Sequence, residues 1–372
     1  MKSFFISAGD PSGDLHASAL IDRLKDFSEN EISFTGLGGD NMISSGLNHL
    51  YHVKDLSATG YVEVLRKYSF FRKVLNTCSE FIINNKPDAV ILVDYPGFNL
   101  RLASRIRKNY RGRIFYYISP QIWAWNAGRA ATIKDTVDKM LVVFPFEVEF
   151  YKRFGIKAEY VGHPLTERLK KNLLNISDGS DAAETDTICI LPGSRIHEIR
   201  NHMPVLAKTA GKLIRKYKSD IVFSKSVFIN ERNYKTVKIP SECKLSGENV
   251  YDLIKKSKVV LTKAGTSSLE CALIGTPHLI FYKTSLINYV LLKPRAKIDF
   301  IGIANILSGR KIIKEFIQKD FTAENIVKEV DNILSDSDYR TDMKNNLAQL
   351  WNILGSKSAS ETSAKIILNS LK

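Results

Sequence analysis

The sequence is short of cysteine, of long apolar runs and of acidic residues relative to basic ones, and each shortage excludes something. Its four cysteines, Cys78, Cys189, Cys243 and Cys271, are widely spaced and form no C-x-x-C pair. That spacing argues against a zinc ribbon or a disulfide framework and for a reducing compartment. No stretch approaches the roughly 20 apolar residues of a membrane-spanning helix. The first residues, M-K-S-F-F-I-S-A-G-D, carry only a short apolar run that breaks at Gly9-Asp10, which resembles a first β-strand and not a signal peptide. A cytoplasmic protein is therefore expected. Neither G-x-G-x-x-G nor G-x-x-x-x-G-K-[ST] occurs, so the usual dinucleotide and phosphate-loop signatures are missing. The stretch Gly36–Asp40, G-L-G-G-D, is glycine-rich but has neither spacing. No internal period of the solenoid kind is present.

The deficit of acid leaves 54 basic against 39 acidic residues and a formal charge of +15. Such a field favours anionic partners, among them nucleic acid, phosphorylated small molecules and anionic membrane surfaces, although a solvated lysine-rich surface accounts for it equally. Nucleic acid is not the expected partner, because no recognised module and no interleaved aromatic and basic stacking motif is found. The length of 372 residues suggests two domains, and 44% hydrophobic content is enough to bury a full core in each.

Short apolar, β-rich runs alternate with helical patterns from end to end. In the first half the strand candidates are Phe4–Ser7, Ala89–Asp94, Ile114–Ser119, Met140–Phe144 and Glu159–Val161, with helical stretches such as His16–Phe27 and Leu100–Tyr110 between them. In the second half Thr187–Leu191, Ile221–Ser224, Val259–Thr262 and His278–Tyr282 take the same part. Strands separated by helices imply βαβ units and parallel sheets, hence an α/β fold of two Rossmann-like domains. The polar segment Asn175–Asp186 reads as the linker. The expected domains are 1–175, 187–340 and a helical tail, 341–372, in which Leu347, Leu350, Ile353 and Leu354 fall at helical spacing. In doubly wound sheets ligands sit beyond the carboxyl ends of the strands, so two such sheets facing each other would form an interdomain cleft.

Four turns follow expected strands and carry residues suited to anion chemistry. In A-G-D-P-S-G-D, Gly9 and Gly13 permit a tight turn and close approach of a ligand to backbone amides, but a plain loop capped by Ser12 or Asp14 fits as well. In V-D-Y-P-G-F-N, Asp94 ends an apolar strand and suits a general base, or else a helix N-cap. In L-P-G-S-R-I-H-E-I-R, Gly193 and Ser194 can open a helix whose amides face a diphosphate, with Arg195 adding charge-assisted bonds. In T-K-A-G-T-S-S-L-E, Gly265, Thr266 and Ser267 repeat that design, and Glu270 is placed to accept from ribose hydroxyls or to close a capping box with Ser267. The cluster His197, Glu198 and His202 invites a zinc reading, but its histidines are i, i+5 where a helix needs i, i+4, so no metal is expected. Two apolar-basic segments remain. Gly60–Leu75 includes Val62, Leu65, Phe70 and Phe71 beside Arg66, Lys67, Arg72 and Lys73, and Ser285–Lys297 includes Leu291 beside Lys293, Arg295 and Lys297. Either suits a membrane surface or an ordinary amphipathic helix on its own sheet.

Taken together, A-G-D-P-S-G-D-L, G-Y-V-E-V-L, V-D-Y-P-G-F-N, Y-Y-I-S-P-Q-I-W-A-W, V-F-P-F-E, V-G-H-P, L-P-G-S-R-x-x-E-I, A-G-T-S-S-L-E and N-I-L-S-G-R…E-F-I-Q resemble, in order, the lipid-A-disaccharide synthase family of GT-B glycosyltransferases (glycosyltransferase family 19) over nearly the whole chain. The resemblance implies transfer of 2,3-diacylglucosamine from UDP-2,3-diacylglucosamine to 2,3-diacylglucosamine 1-phosphate, with inversion, giving the β-1,6 lipid A disaccharide 1-phosphate and UDP. It implies no cofactor and no metal, and peripheral attachment to the inner leaflet of the cytoplasmic membrane. By motif it makes Asp94 the base, with Asp10 as a second catalytic carboxylate. It assigns Gly193, Ser194, Arg195, Glu198, Gly265, Thr266, Ser267, Glu270, Asn305 and Gln318 to the UDP-sugar, and Val62, Leu65, Phe70, Phe71 and Leu291 to acyl chains or membrane. The chain departs from the family pattern at Asp10, where Glu is usual, at Ala264, where Ser is common, and at Ala304, where Pro is common. Runner-up functions are a lipid-linked N-acetylglucosaminyltransferase, which should lack S-P-Q-I-W-A-W, and a UDP-sugar 2-epimerase, which needs no acceptor. A non-catalytic nucleotide-binding module would tolerate loss of Asp94.

Overall fold

The structure, a computed structural model, describes residues 2–29, 31–56, 68–176, 185–226, 229–285, 289 and 298–372. The chain divides into two compact units, Met1–Glu167 with Ser356–Lys372, and Arg168–Gly355. The first unit holds a seven-stranded sheet: β1 (Lys2–Ala8), β2 (Ile32–Gly38), β3 (Leu47–His52), β4 (Ala89–Val93), β5 (Arg113–Tyr117), β6 (Lys139–Val142) and β7 (Ala158–Tyr160). Its order is β3-β2-β1-β4-β5-β6-β7, and the pairings are parallel. Strand β4, A-V-I-L-V, is buried at every position, as a central strand covered on both faces must be.

The second unit holds β8 (Thr185–Leu191), β9 (Asp220–Ser224), β10 (Lys244–Ser246), β11 (Ser257–Lys263), β12 (His278–Tyr282) and β13 (Glu315–Ile317), in the order β10-β9-β8-β11-β12-β13. Each sheet reverses its winding at one place, between β1 and β4 in the first and between β8 and β11 in the second. At such a switch point the loops beyond two neighbouring strands diverge and leave a crevice, where ligands of doubly wound sheets bind. The four turns singled out by sequence follow β1, β4, β8 and β11. The strands that sequence pattern did not mark, β2, β3, β10 and β13, include three sheet edges, two of them only three residues long.

Helices in the first unit start earlier than periodicity suggests, because proline opens them. Helix α1 (Pro11–Phe27), α3 (Pro96–Ile106) and α5 (Pro145–Lys152) each carry Pro at the first turn, where the missing N–H costs nothing; α2 (Tyr68–Asn85) and α4 (Arg129–Thr136) do not. The second unit contributes α6 (Ile196–Lys216), α7 (Thr266–Ile274), α8 (Ala323–Ser335) and α9 (Ser337–Leu354). The expected single tail is two helices, because Gly355 with φ +65° ends α9. Helix α9 buries Leu347, Leu350 and Leu354 but leaves Ile353 partly exposed. The last helix, α10 (Ala359–Asn369), packs on α1 in the first unit. Its approach is fixed by Ser360, whose N–H (3.1 Å) and hydroxyl (2.5 Å) donate to Glu167, and by Gly162, where a Cβ would lie 2.3 Å from the Lys357 carbonyl oxygen. The first unit ends at Glu167, short of the expected boundary at 175, and residues 177–184 of the expected linker lie outside the described residues.

The glycines of G-L-G-G-D serve packing. A Cβ on Gly36 would lie 1.9 Å from the Ile6 carbonyl oxygen, and one on Gly39 would strike Asp14. The buried Asp14 carboxylate accepts from the amides of Gly39 (2.6 Å), Asn41 (3.2 Å) and Met42 (3.1 Å) and from the Asn41 side chain (2.7 Å). Replacing Asp14 by Ala strands two buried amides, so Asp14→Ala should lower stability by about 2–4 kcal/mol in urea unfolding; no loss would mean that the turn repairs itself.

Candidate active site

In the first unit the candidate site is the switch point between β1 and β4. Asp94 and Tyr95 follow β4 with φ of 43° and 48°. This left-handed backbone costs a non-glycine residue roughly 1–2 kcal/mol and has to be held in place. Asn99, fully buried in the first turns of α3, does most of the holding. Its Nδ2 donates to the carbonyls of Asp94 (2.8 Å), Val93 (3.2 Å) and Ser7 (3.3 Å), while its Oδ1 accepts from the Ser7 hydroxyl at 2.7 Å. The Tyr116 hydroxyl donates to the Asp94 carbonyl at 2.6 Å. The Tyr95 ring lies over Gly9, where a Cβ would stand 2.1 Å from it, which explains the glycine before Asp10.

This turn leaves the Asp94 carboxyl half-buried. Burial first, and the charge of Asp10 second, push its pKa up to about 7, against a smaller opposing hydrogen bond from the Tyr95 amide. It does not cap α3, because Tyr95 occupies the N-cap position. Asp10, by contrast, is the N-cap of α1 and accepts from the Gly13 amide at 2.7 Å. The pair therefore divides into one carboxylate bound to a helix start and one held as a carboxyl poised near neutrality.

Beside it, the segment after β5 is fastened by Glu147 of α5. This fully buried carboxylate accepts from the Ser119 hydroxyl (2.5 Å), the Trp123 indole (3.0 Å) and the amides of Val143 (3.3 Å) and Phe144 (3.0 Å). Burial still lifts its pKa to about 7. One carboxylate thus joins S-P-Q-I-W to V-F-P-F-E.

In the second unit the turns after β8 and β11 are neighbours. The amides of Ser194 (2.8 Å) and Arg195 (3.2 Å) do not stand open: both donate to Oε2 of Glu198, and Lys263 donates to its Oε1 at 3.0 Å. Glu198 is kept below the usual carboxylate range: burial, the largest influence, acts upward, but Lys263, the amide bonds and Arg195 together outweigh it. The side chain of Arg195 is exposed at the start of α6. The start of α7 has no side-chain cap: Gly265, φ +138°, is the N-cap, and Thr266 is exposed. The capping box between Ser267 and Glu270 does not form. Glu270 is buried, and its Oε1 accepts from Arg168 (2.7 Å) and the Tyr251 hydroxyl (3.1 Å). Burial raises its pKa, opposed by Arg168.

Both nitrogens of His202 are used, Nδ1 donating to the Pro192 carbonyl (2.7 Å) and Nε2 accepting from the Lys283 amide (3.2 Å), so this histidine is a clip between two turns. Asn305 is fully buried with its carboxamide saturated, donating to the Ile313 carbonyl and Glu315 and accepting from the amides of Ile312 and Ile313. It shapes the loop before β13 from within. Gln318, φ 53°, follows β13, and its Nε2 is a buried donor with no partner among the described residues, which marks it for a ligand or a water. Phe70 and Phe71 are half-buried against the core of the first unit, Phe70 meeting Tyr51 edge-on. Val62, Leu65 and Leu291 lie outside the described residues. Asn99, Glu147 and Lys263 sit inside motifs noticed for other residues. Arg168 and Tyr251 carried no sequence signal, since only the fold brings them to Glu270.

Comparison with known proteins places the whole chain, apart from any one residue. The family model for lipid-A-disaccharide synthetase matches residues 4–367. The lipid-A-disaccharide synthase of Geobacter sulfurreducens is 35% identical, over 98% of this chain and 96% of that protein. Lipid-A-disaccharide synthase 1 of Legionella pneumophila is 36% identical, over 95% and 94%. Among solved structures, the UDP-GlcNAc 2-epimerase of Neisseria meningitidis bound to UDP-GlcNAc superposes with a TM-score of 0.65 at 13% identity, covering 100% of this chain and 99% of that one. The calicheamicin glycosyltransferase CalG4 gives 0.62 at 11%, covering 100% and 98%. At such identities the structures speak for the fold alone, two Rossmann-like α/β domains of the GT-B kind. The sequence match is of another order, and by it the chain belongs to the lipid-A-disaccharide synthetase family of glycosyltransferases.

Proposed function

We propose that this glycosyltransferase moves 2,3-diacylglucosamine from UDP-2,3-diacylglucosamine to the 6-hydroxyl of 2,3-diacylglucosamine 1-phosphate. Asp94 takes the proton of that hydroxyl as its oxygen bonds to the anomeric carbon. The bond from that carbon to the diphosphate breaks on the opposite side, its electron pair leaving with UDP, so the anomeric centre inverts. The observation that carries this assignment is the state of Asp94, a half-buried carboxyl with a pKa near 7 on a braced turn, suited to accept a proton at neutral pH. Asp10 assists by its charge, which keeps Asp94 basic.

For the leaving diphosphate, Arg195 and the uncapped start of α7, with the amides of Thr266 and Ser267, are the donors left available. Glu198 occupies the amides of Ser194 and Arg195, and its ion pair with Lys263 holds the turn at Gly193 in shape. Oε2 of Glu270 accepts no hydrogen bond among the described residues, which suits ribose hydroxyls, and Gln318 offers its unpartnered amide. Both substrates carry acyl chains and phosphate, so the protein works as a peripheral protein at the inner face of the cytoplasmic membrane. The charge of +15 and the half-exposed Phe70 and Phe71 beside exposed Arg72 and Lys73 fit that surface. No helix among the described residues is long and apolar enough to cross a membrane.

UDP release should require both acylated sugars together and fall by about two to four orders of magnitude in Asp94→Asn; turnover of UDP-N-acetylglucosamine alone would point to an epimerase instead. The logarithm of kcat/KM should rise with pH and level off near 7, as Asp94 ionises, and lose that limb in Asp94→Asn. The same change should stabilise the fold. A carboxyl whose folded pKa exceeds its ordinary 3.8 favours folding fully below that value and loses this advantage as pH rises to about 7. At pH 8 Asp94→Asn should therefore be more stable by roughly 1–4 kcal/mol, with the gain gone below pH 4. Equal stability at both pH values, by chemical unfolding, would show that Asp94 is not strained by ionisation.

A further inference from the structure

Immediately beyond the Asp94 turn, a groove of about 630 Å³ runs between α3 and α4. Its head is formed by Pro96 and Gly97, the first residues of α3. Gly97 leaves that head open, since a Cβ there would meet nothing within 4 Å. The walls are basic. Arg101, Arg105 and Lys108 come from α3 and the residues after it, and Arg129 from the first turn of α4. Ser104 and Thr132 add hydroxyls, and no carboxylate is among the lining residues.

A basic helix face is usually a solvated one, and three observations set this face apart. First, Arg101, Arg105 and Lys108 have no ion-pair or hydrogen-bond partner among the described residues, whereas nearby Arg107 is fully engaged with the carbonyls of Thr136 and Gly112 and with Asp138. Like charges gathered without a counter-charge repel one another, and an anion relieves that cost. Second, Gly97, Arg101 and Ser104 are spaced to share one stripe of α3, and Lys108 follows just past its end, so Arg101 and then Lys108 succeed one another from the head of the groove. Third, the groove begins at the site already described. The charge of Arg129 reaches the Tyr116 hydroxyl, which is the group that braces the Asp94 carbonyl.

We infer that this groove binds the phosphate monoester of the acceptor sugar. The inference rests on the proposed reaction, in which the acceptor presents its 6-hydroxyl to Asp94. Its 1-phosphate then projects from the far side of the same ring. Arg101 stands about 6 Å along the helix from Gly97, one turn of α3 and about the reach of a sugar ring. An acceptor with its hydroxyl at the head of the groove places its phosphate among Arg101, Arg105 and Arg129, and Lys108 extends the attraction outward. Two or more cations on one dianion select a phosphorylated sugar over a free one, and they fix which hydroxyl faces the base.

The test uses the full-length protein in neutral detergent micelles, with no anionic lipid present. In Arg101→Glu/Arg105→Glu the KM for 2,3-diacylglucosamine 1-phosphate should rise about tenfold or more, while the KM for the UDP-sugar stays as in the wild type. With 2,3-diacylglucosamine lacking the phosphate, wild type and variant should not differ. Arg101→Gln/Arg105→Gln should shift in the same direction by less, and an unchanged thermal midpoint in either variant shows the fold intact. An unchanged acceptor KM, or an equal loss for both acceptors, overturns the proposal. So does a variant whose only defect is weaker sedimentation with phosphatidylglycerol vesicles, because the cations would then serve the bilayer. Titration calorimetry of the donor-free protein with 2,3-diacylglucosamine 1-phosphate separates this inference from the reaction. Binding that the charge reversal removes, in a protein that releases no UDP, would keep the groove and discard the transfer. UDP release with an unaltered acceptor KM in the charge-reversed variant would do the opposite.

Discussion

The carboxamide of Asn99 is the interaction on which the switch point of the first unit depends. It reaches Ser7 at the end of β1 and Val93 and Asp94 at the end of β4, and so closes the two strands between which the sheet reverses. Without such a bridge, two successive left-handed residues would relax, and the Asp94 carboxyl would turn to whatever donor lay nearest. Held as it is, the carboxyl keeps the surroundings that raise its pKa, namely burial and the charge of Asp10. The strain of the turn and the basicity of the side chain have a single cause, a backbone prevented from relaxing. Gly9 belongs to the same arrangement, because only a residue without Cβ lets the Tyr95 ring lie where it does.

The second unit shows how two turns of similar sequence come to differ electrostatically. P-G-S-R and A-G-T-S each place glycine and small residues at a helix start after a central strand. In the first, Glu198 reaches back over the turn and takes the amides, so the helix supplies its own anion and Lys263 balances it. In the second, no side chain caps the helix, and its positive end is left to the solvent. An incoming anion therefore finds one turn already satisfied and the other open, with exposed Arg195 beside them.

Most of the architecture could be read from pattern, for a physical reason. Central strands of parallel sheets are buried on both faces and show as unbroken apolar runs, so A-V-I-L-V and its equivalents announced themselves. Edge strands need no such run: β3 is L-N-H-L-Y-H, and β10 and β13 are only three residues each. Helices start earlier than apolar spacing suggests, because Pro11 and Pro96 open them ahead of the first buried residues. Asp94 was visible because it ends an apolar strand ahead of Pro-Gly. Asn99 and Glu147 stood within noticed motifs, but their function lies in partners 92 and 28 residues away, a distance at which local pattern is silent. Ser267 and Glu270 have the spacing of a capping box, but α7 takes Gly265 as its N-cap, two residues earlier, and the Glu270 carboxylate is engaged by Arg168, 102 residues away, in a charge-assisted bond that local pattern does not show.

The return of the chain to its first unit has a consequence for synthesis. Residues Arg168–Gly355 form the second unit as one uninterrupted stretch, whereas the first is assembled from both sides of it. A ribosome delivers the second unit complete while the face of α1 that α10 will cover still lies open. The carboxyl of Glu167 likewise waits for the hydroxyl and amide of Ser360, 193 residues later. The unit made first is thus finished last. The half that carries Asp94 closes only after Ser356–Lys372 have been made, which leaves its unfinished surface as the part of the nascent chain that cellular folding helpers would have to shield.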